Sequence, residues 1–266
     1  MRNKEEFTQK KRIFYAREYR HFQIATRSSV LYLLLCVLPL VLLVVLFYDP
    51  ITLKICNWTG KILSGATGQE YEILEASFLP KLGNVHYVSI AGSLPSFSQA
   101  LITGILTLAA IIICSQISHN VRSLMIYICM GLYVLLASCV FFVFWPDQFP
   151  YQLADYSELY MVQQVALWII IPSLFGLAVS LVQTGAWPRI LSLVCMALYS
   201  GLYGIVRYAV YLSMLIAFTS LYMATLFFTF GVLFDFIQMV AVYAIFAKNV
   251  SERYNSVRGK AKWLWS

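Results

Sequence analysis

Charged side chains are scarce in this sequence, because Asp, Glu, Lys and Arg together make up only 12% of its 266 residues. Soluble domains carry about 25% charged residues, whereas 61% of the residues here are hydrophobic. This deficit excludes an ordinary soluble domain and predicts an all-α integral membrane protein. The basic residues lie in the two tails and in short loops, with no basic stripe of interleaved aromatics, so we expect no nucleic-acid partner.

Motifs for disulfides, metals and cofactors are also missing. Five of the six cysteines lie in apolar runs, and only Cys56 falls in a segment that the sequence predicts to be a water-exposed loop. The chain has no CxxC pair, no Cys/His cluster, no phosphate-binding glycine loop and no HExxH motif. We therefore expect neither a metal site nor a cofactor.

Histidine is absent from every predicted span. The segment Ser200–Gly204 resembles the nucleophile segment of rhomboid intramembrane proteases, and it also resembles the Cys-Ser-Gly motif of exosortase-type transpeptidases. Both families need a histidine partner, and Tyr199 occupies the cysteine position of the second motif. The histidines of the chain are His21, His86 and His119. Because Ser200 has no base to activate it, the sequence predicts that the protein is not an enzyme.

Six apolar stretches are long enough to cross a hydrocarbon core of ~30 Å. The predicted spans lie at about residues 30–47, 100–117, 124–144, 165–182, 190–217 and 222–247. They form a membrane domain at 30–247, between a basic amphipathic segment at 1–29 and a basic tail at 248–266. The loop at 48–97 contains two β-prone stretches, Glu70 to Leu79 and Asn84 to Ala91, which predict a small hairpin between the first two spans.

The distribution of charge orients this six-span bundle. Both basic tails and the short loops with Arg122 and Arg189 fall on one side, and the acidic loops fall on the other. The positive-inside rule then predicts cytoplasmic termini, a multi-pass protein of the plasma (inner) membrane and an extracytoplasmic hairpin. We expect both tails to contact anionic lipid headgroups.

Two isolated charges stand out in the apolar stretch from Ile190 to Ala247. Arg207 and Asp235 are equally distant along the chain from Leu221, which lies at the least apolar point between spans five and six. A turn there would place both charges at one depth, ~21 Å below the turn at 1.5 Å per residue. A lone charge in hydrocarbon is costly, so the spacing predicts a pair. Its role is open: it could fix helix register, dock a partner span, or serve transport.

Three hypotheses for function follow. The first is a non-enzymatic integral membrane subunit that packs into or scaffolds a larger membrane-embedded assembly with other membrane protein subunits. The alternative is a small transporter or permease-type subunit that uses the Arg207/Asp235 pair. An intramembrane enzyme is the third hypothesis, and the missing nucleophile–base set argues against it.

Overall fold

The computed structural model describes residues 26–79, 82–116, 122–182 and 184–257. Most of the predicted interfacial segment at 1–29 and the last nine residues of the basic tail therefore lie outside the described residues. The described elements, in chain order, are α1 (Thr26–Tyr32), a π-helical turn (Leu33–Val37), α2 (Leu38–Thr67), β1 (Ile73–Leu79), β2 (Gly83–Val88), α3 (Phe97–Ser115), α4 (Arg122–Phe144), α5 (Leu153–Ser180), α6 (Ala186–Phe218), α7 (Met223–Phe227), a second π-helical turn (Phe228–Leu233) and α8 (Phe234–Val257).

Within the described ranges, six helices are long and apolar enough to cross a membrane. The protein is therefore a mostly helical, multi-pass membrane protein. Apolar side chains cover much of the outside of these helices, as expected for surfaces that face lipid. The fourth spanning helix, α5, is the central one: half of its apolar window is buried, against 28% or less for the others.

The first spanning helix is much longer than its predicted span at 30–47. The prediction ends the span at Phe47 and assigns the following residues to a loop, whereas the helix runs from Arg27 to Thr67 without a loop. At 1.5 Å per residue its 41 residues extend about 60 Å, twice the hydrocarbon thickness. Asp49 and Pro50 interrupt the apolar run but not the helix, because Asp49 binds the sheet described below. The helix ends at Gly68, which adopts a left-handed conformation with φ 71°.

The predicted exposure of Cys56 is wrong for the same reason. Cys56 lies on α2 with no exposed surface, and its thiol donates a hydrogen bond to the carbonyl oxygen of His86 at 3.1 Å. α5 likewise begins at Leu153 instead of residue 165. Several polar side chains in these two segments, Thr52, Thr59, Ser157 and Gln164, are buried in the protein, which apolarity alone does not reveal.

β1 and β2 form an antiparallel pair in which Ile73 lies opposite Val88 and Glu75 lies opposite His86. The pair packs against α2 and α5. Helix side chains fill the hydrogen bonds of the β2 edge that faces away from β1. The Tyr48 hydroxyl and the Cys56 thiol donate to the carbonyl oxygens of Gly83 and His86. The backbone N–H groups of Asn84 and His86 donate to Asp49 Oδ2 and Thr52 Oγ1. The Val88 N–H donates to the Tyr208 hydroxyl of α6. This strand edge is therefore closed by side chains rather than by a third strand.

Three hydrophobic clusters lie among the described residues, and the two larger ones fill most of the interior. The cluster beside the sheet is rich in tyrosine and includes Tyr48, Tyr156, Tyr160 and Tyr208. The cluster at the other end of the bundle is mainly aliphatic, with Leu167, Ile171 and Leu193 among its members. α3 lies at the edge of the bundle, where it packs chiefly against α4.

The turn predicted at Leu221 lies in a short 3-10 helix, Ser220–Tyr222, that follows α6. Thr219 begins this turn with φ 85°, an unusual value for a β-branched residue. The sixth span is then interrupted at Gly231, whose φ of −87° and ψ of −114° are not helical. The interruption turns one long helix into α7 and α8, joined by the π-helical turn.

Candidate functional site: a buried arginine at a broken helix

The structure brings Arg207 of α6 and Asp235 of α8 together. Arg207 Nη2 lies 2.7 Å from Asp235 Oδ2 and Nη1 lies 3.0 Å from Oδ1, so the ion pair is bidentate. Both side chains are 1% exposed. Bidentate arginine–carboxylate pairs combine charge with a fixed geometry, which makes them the strong class of ion pair.

α5 supplies two further partners of the guanidinium. Arg207 Nε donates to the hydroxyl of Tyr160 at 2.7 Å, and Nη2 donates to Gln164 Oε1 at 2.8 Å. Tyr160 and Gln164 are one helical turn apart, so they lie on the same face of α5. Tyr160 also donates to the carbonyl oxygen of Gly204 at 3.2 Å. The arginine thereby connects three helices.

The broken sixth span provides the remaining acceptors. Arg207 Nη1 donates to the carbonyl oxygens of Phe230 at 3.0 Å and Gly231 at 3.3 Å. The non-helical backbone at Gly231 releases these carbonyls from the regular helix pattern, as π-type bulges commonly do. Two tyrosines bind the same segment: Tyr211 donates to Phe230 O at 2.9 Å, and Tyr127 donates to Thr229 O at 2.6 Å.

Every N–H donor of the Arg207 guanidinium has a hydrogen-bond acceptor. Its N–H donors at Nε, Nη1 and Nη2 all have acceptors within this chain, which covers the five donors that arginine carries. The rings of Tyr160 and Tyr203 flank the cation, with centroids 5.5 Å and 5.4 Å from its central carbon. Arg207 therefore has no donor left for a ligand in this conformation.

Several buried polar atoms around the pair have no hydrogen-bond partner among the described residues. They include Gln163 Oε1 and Gln164 Nε2 on α5, and Thr229 Oγ1 and Gln238 Nε2 on the sixth span. The Arg207–Asp235 pair is therefore fully hydrogen-bonded, whereas these neighbouring atoms are not. An unpaired buried polar group is costly. A Cβ atom at Gly204 would overlap the amide of Gln164, so the glycine makes room for the side chain that reaches Arg207.

His86 and Ser200 lie away from this pair. His86 is a buried residue of β2, where its Nε2 lies 3.1 Å from Asp49 Oδ1. Ser200 is buried on α6, and its hydroxyl has no hydrogen-bond partner within the described ranges. Where side chains are described, no three His, Cys, Asp or Glu residues form a group that could hold a metal ion.

Three residues of the site, Tyr160, Gln164 and Gly231, are not among the predicted site residues. Tyr160 and Gln164 both lie before residue 165, where the predicted fourth span begins. Two polar residues one turn apart beside an apolar helix are nevertheless a usable signal. Gly231 was the only available sign of the helix break. Arg189, assigned to a loop, is instead 3% exposed on α6.

Comparison with known proteins gives no relative: no family model, no curated protein and no solved structure matches this chain.

Proposed function

We propose that this chain is a non-enzymatic integral membrane subunit that packs into or scaffolds a larger assembly in the plasma (inner) membrane. The observation that supports the proposal is that every N–H donor of Arg207 already has an acceptor. The acceptors are Tyr160, Gln164, Asp235 and the carbonyl oxygens of the broken helix. A group with no free donor holds the bundle together and does not bind a substrate. The chemistry of the pair is then structural.

The edge helix α3 supports the same proposal. It packs chiefly against α4, and its other sides carry exposed apolar residues such as Ile102, Ile105, Leu106 and Ile113, at 58–65% exposure. A span with one main neighbour leaves most of its circumference to lipid or to other subunits. We assign this surface to the spans of partner subunits.

Site-specific photo-crosslinking tests this assignment. A photoreactive phenylalanine analogue at Ile105 of α3 should give protein adducts in native membranes, because that position would contact a partner span. The matched control is Leu202 of α6, which is similarly exposed at 65%. Lipid adducts alone at Ile105, together with migration of the purified chain as a monomer in blue-native electrophoresis, would contradict the proposal.

The proposed orientation places both termini in the cytoplasm and the two-stranded sheet on the extracytoplasmic side. The distribution of basic residues supports it. Cysteine-accessibility labelling with a membrane-impermeant maleimide should modify a cysteine introduced at Gln69 in intact cells and leave one introduced at Ser266 unmodified. Labelling of Ser266→Cys from outside would reverse the topology.

A small transporter is the second candidate, and the break at Gly231 favours it. Discontinuous helices with released carbonyls often line ion or substrate sites in carriers, and unpaired polar atoms such as Gln238 Nε2 lie one turn beyond Asp235. Proteoliposomes with an internal pH-sensitive dye would separate the candidates. A proton flux that needs Asp235 and is lost in Asp235→Asn, while the variant stays folded, would favour transport. An intramembrane enzyme is the weakest candidate, because Ser200 has no basic partner in the described part of the chain.

A further inference from the structure

The hydrogen bonds of the sheet leave the outer edge of β1 open. In an antiparallel pair, every second residue points its N–H and C=O groups away from the partner strand. On β2 this set contains His86, whose N–H and C=O bond to α2, and Val88, whose N–H bonds to α6. The residues opposite them on β1 are Glu75 and Ile73, so their backbone groups point away from β2.

The outward set of β1 consists of Ile73, Glu75 and Ser77. Ser77 belongs to it because it lies opposite Asn84, whose N–H also points to α2. Within the described ranges, no other backbone group bonds to these three residues from outside the sheet. β1 packs chiefly against β2, and the side chains of Glu75 and Ser77 are exposed. The edge therefore offers a row of alternating N–H donors and C=O acceptors.

This edge lies outside the hydrocarbon. Its open backbone groups and the exposed carboxylates of Glu70, Glu72 and Glu75 would be costly in lipid. In water, an open edge is a template for pairing with another extended chain. Bulges often prevent such pairing, but the irregularity of β1 falls between Ser77 and Leu79, at the end of the outward set.

The charge along this edge is negative. Residues 69–79 include Glu70, Glu72 and Glu75, all exposed, and no Lys or Arg. Among the described residues, Glu70 and Glu72 have no ion-pair partner. The Glu75 carboxylate lies 3.8 Å from the His86 ring and accepts from Asn84, yet the side chain is still 56% exposed. All three glutamates can therefore accept bonds from a partner.

Neighbouring elements do not reverse this charge. Burial raises the pKa of Tyr87 on β2, and the carboxylates of Glu158 and Asp155 on α5 raise it further, so negative charge surrounds the sheet on that side as well. The lysines of this part of the chain are Lys54 and Lys61, on the helix α2 that lies along the other edge of the sheet, and Lys81, which is outside the described residues. With Lys81 counted against the three glutamates, residues 69–81 carry a net charge of −2.

We propose that the outer edge of β1 binds an extended segment of a partner protein, rich in lysine or arginine, as a third strand. Its backbone pairs with Ile73, Glu75 and Ser77, and its basic side chains lie beside the glutamates. In this mode of recognition, main-chain bonds give affinity and side chains give specificity. A second copy of this chain fits less well, because antiparallel pairing centred on Glu75 would place two Glu75 carboxylates opposite each other. The inference rests on the proposed function, since it states the chemistry of one partner of the subunit.

Hydrogen exchange at the β1 amides tests the proposal on the unaltered full chain. The probe is a synthetic peptide of about ten residues that alternates lysine with threonine, added to protein in neutral-detergent micelles. Exchange at Ile73, Glu75 and Ser77 should slow by about tenfold when the peptide reaches about ten times its dissociation constant. Mass spectrometry with electron-transfer fragmentation reads each amide separately. Leu74 and Ala76 face β2, so their exchange should not change.

Controls separate strand pairing from charge attraction. A peptide of the same sequence with N-methyl groups on every residue keeps the charge but has no backbone donors, and it should not slow exchange. A glutamate–threonine peptide should bind at least about fivefold more weakly, because it loses the opposite-charge pairs across strands. In the protein, Glu72→Gln/Glu75→Gln should weaken binding of the lysine peptide by about threefold or more. Asp147→Asn removes an exposed carboxylate from another loop and should leave binding unchanged.

Unchanged exchange at about 1 mM lysine peptide, equal slowing by the N-methylated peptide, or equal weakening in Asp147→Asn would each overturn the proposal. Slowing that appears without peptide and grows with protein concentration would also overturn it, because a second copy would then occupy the edge. The two proposals can fail separately. Protein crosslinks at Ile105 with unchanged exchange at β1 would reject the third strand alone, whereas slowed exchange with only lipid adducts at Ile105 would reject the packing of α3 alone.

Discussion

Two buried arginines on the same helix are held in different ways. Arg189 and Arg207 both lie on α6 and are both 3% exposed. Each lies over a tyrosine ring, at 5.9 Å from the Tyr32 centroid for Arg189 and 5.5 Å from the Tyr160 centroid for Arg207. Their sequence contexts look alike, since each is an isolated cation next to apolar residues.

Their hydrogen bonds differ. Arg207 has a bidentate carboxylate and no unused donor. Arg189 has no carboxylate partner among the described residues; it donates to Val182 O at 2.6 Å and Ser28 Oγ at 3.3 Å, and its Nε has no partner. Arg189 lies in the first turn of α6, whereas Arg207 lies 18 residues further along the helix. A cation near a helix end can rely on carbonyls and solvent, whereas one in the middle needs its own counter-charge.

Removing the Asp235 carboxylate should lower the free energy of unfolding more than any other change at the two arginines. Asp235→Ala leaves Arg207 buried without a counter-charge, so we expect a loss of about 3–5 kcal/mol in the free energy of unfolding. Unfolding in mixed micelles with increasing dodecyl sulfate measures it. The double variant Arg207→Ala/Asp235→Ala should be less destabilised than Asp235→Ala alone, and the opposite order would show that the pair is not coupled.

Exchanging the two charges should not rescue the protein. An aspartate at position 207 would face the carbonyl oxygens of Phe230 and Gly231, which now accept from the arginine. The charge swap therefore tests the broken helix as well as the pair. Recovery of stability by the swap would mean that the carbonyl oxygens of Phe230 and Gly231 do not help to hold Arg207 in place.

Arg207→Lys should be the next most damaging change. Lysine keeps the charge but loses the planar fork that reaches Tyr160, Gln164 and Asp235 at once, so we expect a loss of about 2–3 kcal/mol in the same assay. Arg189→Lys is the matched control and should cost less, because Arg189 makes no bidentate contact. Equal effects at the two positions would contradict the distinction between them.

Tyr160→Phe should have a smaller effect, about 1.5–3 kcal/mol, because it removes a hydrogen bond to a charged group. The hydroxyl accepts from Arg207 Nε and donates to Gly204 O. Tyr32→Phe beside Arg189 is the control, since its hydroxyl only donates a 3.4 Å bond to Arg189 O. We expect a clear shift in the unfolding midpoint for Tyr160→Phe and almost none for Tyr32→Phe.

Gly204→Ala should give the smallest loss, about 1 kcal/mol. The new methyl group displaces the Gln164 amide and with it the bond to Arg207. Gly201→Ala, one turn earlier on α6, meets no atom within 4 Å and should be neutral or stabilising, because alanine favours helix. A similar response at both glycines would indicate that Gln164 has no role in holding the arginine.

Hydropathy and spacing predict the coarse fold and the two members of the pair. The six apolar stretches correspond to six helices, and the equal distances of Arg207 and Asp235 from Leu221 correspond to their contact. The rest depends on tertiary structure. Whether Asp49 breaks a helix depends on a strand edge that binds it, and whether Arg189 is buried depends on α1 packing beside it. The partners of Arg207 on α5, Tyr160 and Gln164, are uncharged, so no charge in the sequence marks them.

The closed edge of β2 also determines when the sheet can be completed. Gly83, Asn84 and His86 find their partners on α2, which the ribosome makes before them. The Val88 N–H must wait for Tyr208, 120 residues later. At ~5–20 residues per second of synthesis, that wait is on the order of ten seconds. The hydrogen bonds of this edge therefore begin on an early span, and the last of them forms only after the fifth span has been made.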